Sequence, residues 1–308
     1  MALGHEVKLI PPAHVKPYVR RNKTDAADAA AICEAAMRPG QRFVALRSID
    51  NQAAVMRHRV REQLVGQRTA LLNALRGHLS EIGLVAAQGA QHAYRLKRML
   101  AEGADENGEI VVPERVRVAL APLTAQIDAL DQAIAAIDDK LIETVKADEK
   151  ARRLMTIPGV GPVIATAVVA TVGEAASFAS GREFAAFLGL APRQRSSGGK
   201  ERLGRITKMG DRYLRKLLVV GATTVLHHAI GHNDSLRRWA RQMLERKGGR
   251  AGFKLAAVAL ANKLARIVFA ILRSGEVYDD RPVVAGARRA WQKEVSLHGE
   301  KALRVTRG

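Results

Sequence analysis

One cysteine, Cys33, stands in 308 residues. An internal disulfide and a thiolate zinc site are both excluded, and a reducing cytosol suits such a chain. Aromatics are scarce at 4%; Ala, Leu, Val and Arg dominate instead. Ala and straight-chain residues lose little entropy in a helix, so the mix favours helix over sheet. Acids are short against bases: 30 Asp and Glu face 50 Lys and Arg, a formal net charge of +20. That imbalance costs self-repulsion, which a polyanion relieves by releasing counterions. Nucleic acid is the expected partner. The start, Met1-Ala2-Leu3-Gly4-His5-Glu6, has no basic segment followed by a long apolar run, so no signal peptide is expected. The most apolar late stretch, Leu255 to Leu272, is interrupted by Lys263 and Arg266. It reads as a buried helix and not a membrane span. Hydrophobic residues still reach 47%, enough for two or more domains with a core.

Along the chain, Val7-Lys8-Leu9-Ile10 is strand-like and stops at Pro11-Pro12. One strand cannot bury itself, so either the fold begins unusually or sheet partners that should lie upstream are missing. A basic segment, His14 to Lys23, leads into an Ala-rich helix that runs through Met37 and ends at Pro39-Gly40. Ser48 to about Ile82 is helical. Residues 101–112 read as a loop. Leu120, Leu123, Ile127, Leu130, Ile134, Ile137 and Leu141 then step by three and four, the signature of a coiled coil or a long helical hairpin. Between Glu114 and Lys150 eight acids face five bases. This stalk is therefore a spacer or dimerisation arm, with at least a dimer expected, and not a DNA-binding face. Composition shifts to Gly, Ala, Val and Arg near Ala151. The expected divisions are 1–47, 48–150, 151–278, and a loosely held tail over 279–308.

Three motifs could carry chemistry. In Thr24-Asp25-Ala26-Ala27-Asp28 the two carboxylates lie on one side of a first helical turn, where they could share a hard divalent cation. Spacing alone favours the plainer alternative of a helix cap complementing the dipole. In Ile157-Pro158-Gly159-Val160-Gly161-Pro162, Gly159 and Gly161 would let a phosphate approach the backbone, as in the helix-hairpin-helix motif; a tight helix turn with no ligand fits equally well. The third motif, Gly189-Leu190-Ala191-Pro192-Arg193-Gln194-Arg195-Ser196-Ser197-Gly198-Gly199-Lys200, continues through Arg202, Arg205 and Lys208 to Gly210-Asp211. A serine between cations and glycines could attack a phosphodiester. Taken alone, the pattern favours a phosphate-gripping loop with no covalent role. Between Arg182 and Arg250 sixteen bases face five acids, with Arg212, Arg215 and Lys216 beside an apolar helix face; this is a plausible backbone contact. His227, His228 and His232 have metal-like spacing but lack further ligands apart from Asp234, so packing or surface roles are expected.

Taken in order, these segments resemble a known family. Lys8-Leu9-Ile10-Pro11-Pro12, Lys23 through Ala29, the Ile157–Gly161 turn, and Gly189 through Gly199 occur in sequence, followed by Lys208-Met209-Gly210-Asp211-Arg212-Tyr213-Leu214-Arg215 and Asn262-Lys263-Leu264-Ala265-Arg266. The set is similar to the DEDD transposases of the one-ten/eleven-eleven group of bacterial insertion sequences. The resemblance implies a mainly α fold: an RNase H/RuvC-like α/β remnant, a long helical coiled-coil stalk and a helical carboxy-terminal domain with a helix-hairpin-helix. It implies Mg²⁺ at Asp25 and Asp28, the third and fourth of four family acids. It makes Ser197 the nucleophile, with Ser196 as second choice. DNA, an element-encoded bridge RNA and a second or further copy of the chain become the partners, in the bacterial cytoplasm at the nucleoid, with no membrane. Arg193, Arg195, Lys200, Arg202, Arg205, Lys208, Arg212, Arg215, Gly159 and Gly161 become the nucleic-acid contacts. The first two family acids should lie upstream of Gly4, so the expectation is a truncated copy, or a start codon placed too late, with catalysis impaired in the sequence as it stands. The rival readings are a non-catalytic basic nucleic-acid-binding protein and a coiled-coil scaffold.

Overall fold

The computed structural model describes residues 4–280 apart from 20–23, 42, 45, 106, 109, 173–174, 197–198, 201 and 230–233. The fold is mainly helical, as the composition requires. It divides into two compact units, Met1–Met56 and Arg57–Gly308.

The first unit holds a short helix α1 (Pro12–Val15), a 3-10 turn (Lys16–Tyr18), α2 (Asp25–Met37) and the start of α3 (Ile49–Glu81). The expected strand is reduced to a single antiparallel bridge, Leu9 to Val44. Val7, Leu9 and Val44 stay exposed. Among the described residues no further strand pairs with it, and one bridge satisfies too few backbone groups to bury a strand. The Ala-rich helix is α2. Thr24 caps it, its Oγ1 accepting from the Ala27 N–H at 3.2 Å. Ala31 and Ala35, one turn apart, form its buried face.

The second unit begins with the rest of α3, followed by α4 (Ala90–Glu102) and α5 (Glu114–Ala147). Arg61 pairs with Asp138, and Arg68 with Asp131, so α3 and α5 run antiparallel. The three- and four-residue steps therefore belong to a hairpin within one chain. Ile127, Leu130, Ile134 and Leu141 are all buried there. The helix α4 was not expected from the sequence, although Ala93, Leu96, Met99 and Leu100 form a clear buried stripe.

Past the hairpin come α6 (Glu149–Leu154), α7 (Pro162–Val172), a 3-10 turn (Ala175–Ser177), α8 (Gly181–Phe187), strands β1 (Pro192–Gln194) and β2 (Leu203–Ile206), then α9 (Arg212–His227), α10 (Ser235–Lys247) and α11 (Gly249–Ser274). The last helix is long and apolar enough to cross a membrane by composition alone. Here Ala256, Leu260, Ala261, Leu264, Ala265 and Val268 are fully buried in the core against α8, α9 and α10. The loosely held tail was expected from 279. Asp280, however, is tied in: its Oδ1 accepts from the Ser235 N–H at 2.8 Å and the Ser235 hydroxyl at 2.6 Å. Residues 281–308 of that tail lie outside the described residues.

Candidate nucleic-acid interface

The Pro-Gly turn joins α6 to α7 on top of α9. Ile157 and Val160 are buried and anchor it. Its two glycines have different jobs. Gly159 has φ +83°, and a Cβ there would meet the Gly221 carbonyl oxygen at 2.6 Å and Val225 Cγ2 at 2.5 Å. This glycine is a packing requirement between the turn and α9. A Cβ on Gly161 would meet nothing within 4 Å. Gly161 borders an open hollow with Arg61, Pro162, Leu217, Val220 and Thr224. Gly159 borders the same hollow, but its Cβ position is filled by α9, whereas that of Gly161 is open.

The serine motif is carried on an antiparallel β-hairpin that the sequence reading took for a loop. Pro192 pairs with Ile206 and Gln194 with Leu203, with one irregularity between them. The Arg195 N–H donates to the Arg202 carbonyl at 2.8 Å, which extends the ladder toward the tip. Ser196 braces that tip, its Oγ accepting from the Arg202 N–H and from the Gln194 side-chain amide, both at 3.2 Å. Ser197 and Gly198 lie outside the described residues, as does His232. Arg193, Arg195, Lys200, Arg202, Arg205, Lys208 and Arg212 are all exposed. Among the described residues none of these seven pairs with a carboxylate. Unpaired exposed cations at this density repel one another, and a polyanion removes the repulsion.

The base of the hairpin is held by backbone contact. A Cβ on Gly189 would stand 2.0 Å from the Met209 carbonyl oxygen, and one on Gly210 only 1.7 Å from the Phe187 carbonyl oxygen. Between them Lys208 takes φ +57°, the only positive φ of a non-glycine among the described residues. Its N–H donates to the Gly189 carbonyl at 3.1 Å. A lysine in this conformation costs about 1–2 kcal/mol, so the surrounding contacts must impose it. Arg215 helps: its guanidinium donates to the Leu188 and Met209 carbonyls at 3.0 and 2.9 Å. Arg215 is thus engaged inside the fold, while Arg212, three residues earlier, is exposed. Asp211 caps α9 by accepting from the Leu214 N–H at 2.8 Å.

One polar cluster escaped the sequence reading. His58 of α3 is 3% exposed, and its Nδ1 lies 3.3 Å from the Tyr213 hydroxyl of α9. Burial, then the nearby Arg61 and Arg57 charges, pull its pKa down to about 4, with Asp138 opposing. Burial pushes the Tyr213 hydroxyl up to about 12. The cluster fixes the hairpin helix against the start of α9, beside the basic loop. No sequence signal marks a lone buried histidine. His227 packs its ring 5.0 Å from Phe253, in keeping with a packing role, and His228 is exposed.

In the first unit, Asp25 and Asp28 stand in the first turn of α2. Thr24 performs the cap, so neither carboxylate is needed for it. Among the described residues no group of three or more His, Cys, Asp or Glu is assembled for a metal. Two carboxylates on one turn still fit Mg²⁺, which takes one or two from protein and completes its octahedron with water and substrate phosphates.

Against this geometry stand the relatives. Residues 151–238 match the family model described as "Transposase IS116/IS110/IS902 family", and residues 1–84 match a second described as "Transposase". The chain is 43% identical over 276 residues to a Pseudomonas aeruginosa protein named "Probable family 20 transposase", covering 90% of this chain and 80% of that one. It is 40% identical over 279 residues to the transposase for insertion sequence element IS1111A of Coxiella burnetii, covering 90% and 74%. It is 38% identical over 276 residues to the transposase for IS1328 of Yersinia enterocolitica, covering 90% and 79%. A mainly helical chain with an exposed basic hairpin and these relatives is an insertion-sequence transposase. It belongs to the IS116/IS110/IS902 family, which includes the one-ten/eleven-eleven group.

Proposed function

We propose that this transposase binds DNA, cleaves and rejoins its strands during transposition, and is guided by an element-encoded RNA. The observation that carries this reading is the seven exposed cations on and below the β1–β2 hairpin, none of which pairs with a carboxylate among the described residues. They surround Ser196 and Ser197 in the sequence. In the proposed reaction the Ser197 hydroxyl attacks phosphorus and forms an O–P bond. The P–O bond to the departing strand breaks, and a proton passes from the serine to the leaving oxygen. Attack by a hydroxyl of another strand reverses the step and rejoins the DNA. Arg193, Arg195, Lys200, Arg202, Arg205 and Lys208 stabilise the charge on the phosphoryl oxygens. Asp25 and Asp28 would hold Mg²⁺, which when bound would supply Lewis-acid stabilisation of phosphoryl charge. The transposase acts as a homo-oligomer, in the cytoplasm at the nucleoid.

Covalent trapping tests the proposal. Incubation with element-end DNA, Mg²⁺ and RNA should give a protein–DNA adduct that disappears in Ser197→Ala while DNA binding persists. An adduct that survives Ser197→Ala, or moves to Ser196, removes Ser197 from the role.

A second reading, a basic nucleic-acid-binding protein that performs no chemistry, is favoured by the lack of any three-donor metal cluster among the described residues. It predicts salt-sensitive binding with no adduct under any condition.

A further inference from the structure

The segment Asn262-Lys263-Leu264-Ala265-Arg266 has no part in the reading above, yet it lies directly under the hairpin. The Asn262 side-chain amide donates to the Leu190 carbonyl at 3.1 Å, two residues before β1 begins. The next residue, Lys263, is half-buried on α11, its Nζ 4.7 Å from the centroid of the Trp239 ring on α10. Arg266 follows at i+3 and so shares its face. Arg266 is exposed at its tip, while its Cα lies 3.5 Å from where a Gly181 Cβ would stand on α8.

A lysine that merely fills space keeps its ammonium in water or beside a carboxylate. Lys263 instead lays its ammonium against the Trp239 ring, with no carboxylate beside it among the described residues. Burial, then the charge of Arg266, lowers its pKa. Among the described residues no carboxylate pairs with Lys263 or Arg266. Two adjacent cations with no acid lack an anionic partner. The Trp239 ring holds the ammonium in place through its electron-rich face, and the guanidinium fork of Arg266 matches two phosphoryl oxygens.

We propose that Lys263, Arg266 and Trp239 form a second phosphate site, which grips a nucleic-acid backbone phosphodiester at the foot of the β1–β2 hairpin. This inference rests on the reading that the domain binds nucleic acid.

The test is salt-titrated binding of the 308-residue chain to a DNA duplex and, separately, to a single-stranded RNA. Lys263→Met keeps the stem and removes the charge. It should weaken binding about three- to tenfold regardless of sequence and lower the log–log salt slope by about one, with no fall in the thermal midpoint. Lys263→Arg should keep most of the affinity. Because Arg266 is exposed, Arg266→Met should act in the same direction even if Lys263→Met disturbs packing. The polymer whose slope falls identifies the ligand. The double variant Arg202→Gln/Arg205→Gln serves as control. If it loses affinity while the Lys263 and Arg266 variants keep both affinity and slope, the second site is refuted and the nucleic-acid reading stands. If none of the variants changes binding, the nucleic-acid reading fails with it.

Discussion

Gly159 and Gly221 meet backbone to backbone: a Cβ on Gly221 would stand 2.3 Å from the Gly159 carbonyl oxygen. The turn between α6 and α7 is therefore locked onto α9 with no room for a methyl group. Gly221→Ala should cost about 1–3 kcal/mol by overpacking, read as a lower thermal midpoint. Gly161→Ala faces open space and should leave the midpoint unchanged. If the turn receives a phosphate through its backbone, Gly161→Ala will weaken DNA binding. Unchanged binding would make the turn a packing device only.

His58 links stability to pH. Its folded pKa of about 4 lies below its ordinary 6.5. Between those values the unfolded chain binds more protons than the folded one, so stability rises with pH across that window. Acidification from pH 6.5 toward 4 should remove up to about 3 kcal/mol. In His58→Gln the slope of stability against pH over this window should flatten, measured by urea unfolding at several pH values. A slope identical to wild type would show that other groups dominate.

Lys208 holds a backbone conformation that glycine adopts freely. Lys208→Gly relieves about 1–2 kcal/mol of strain but adds about 0.5–1 kcal/mol of unfolded-state entropy. Stability should stay level or rise slightly. Affinity for DNA should nonetheless fall and the salt slope drop by about one. A parallel loss of both stability and affinity would mean that the side chain packs rather than binds.

Arg215 and Arg212 lie three residues apart on α9 yet should respond differently. Arg215→Met abandons the Leu188 and Met209 carbonyls and should cost about 1.5–3 kcal/mol of stability, with the salt slope unaltered. Arg212→Gln should leave the melting curve alone and reduce the slope. Calorimetry and salt-titrated binding on the same preparations separate the two cases. Matching profiles would overturn the division of labour.

Much of this was legible in the residues. The helical class, the long α3, the three- and four-residue steps of α5 and a capped start to α2 follow from periodicity and capping chemistry, with Thr24 and Asp25 both open as the capping residue. The β1–β2 hairpin did not. Every residue of Pro192–Gln194 is exposed, so it carries no apolar alternation; backbone pairing and polar side-chain contacts, such as Arg193 to the Thr207 carbonyl, hold it. The roles of Gly159 and Gly161 could not be separated by sequence, because which one touches α9 depends on where α9 lies. Lys208 stands out in the sequence by its charge alone, while its backbone conformation is imposed by Gly189 and Gly210 from outside the residue. At the candidate site, Asp25 and Asp28 were legible as a pair on one turn, whereas Arg215 looked like its exposed neighbours until its carbonyl partners were visible.

The apolar edge of α5 meets its own chain. Ile127, Leu130, Ile134 and Leu141 are shut away from solvent by the fold that contains them. A second copy could reach that edge only if the α3–α5 hairpin first unzipped, severing the Arg61–Asp138 and Arg68–Asp131 pairs. If copies of this transposase associate, conservative changes at these four buried positions should move its thermal midpoint and leave the concentration dependence of association where it was.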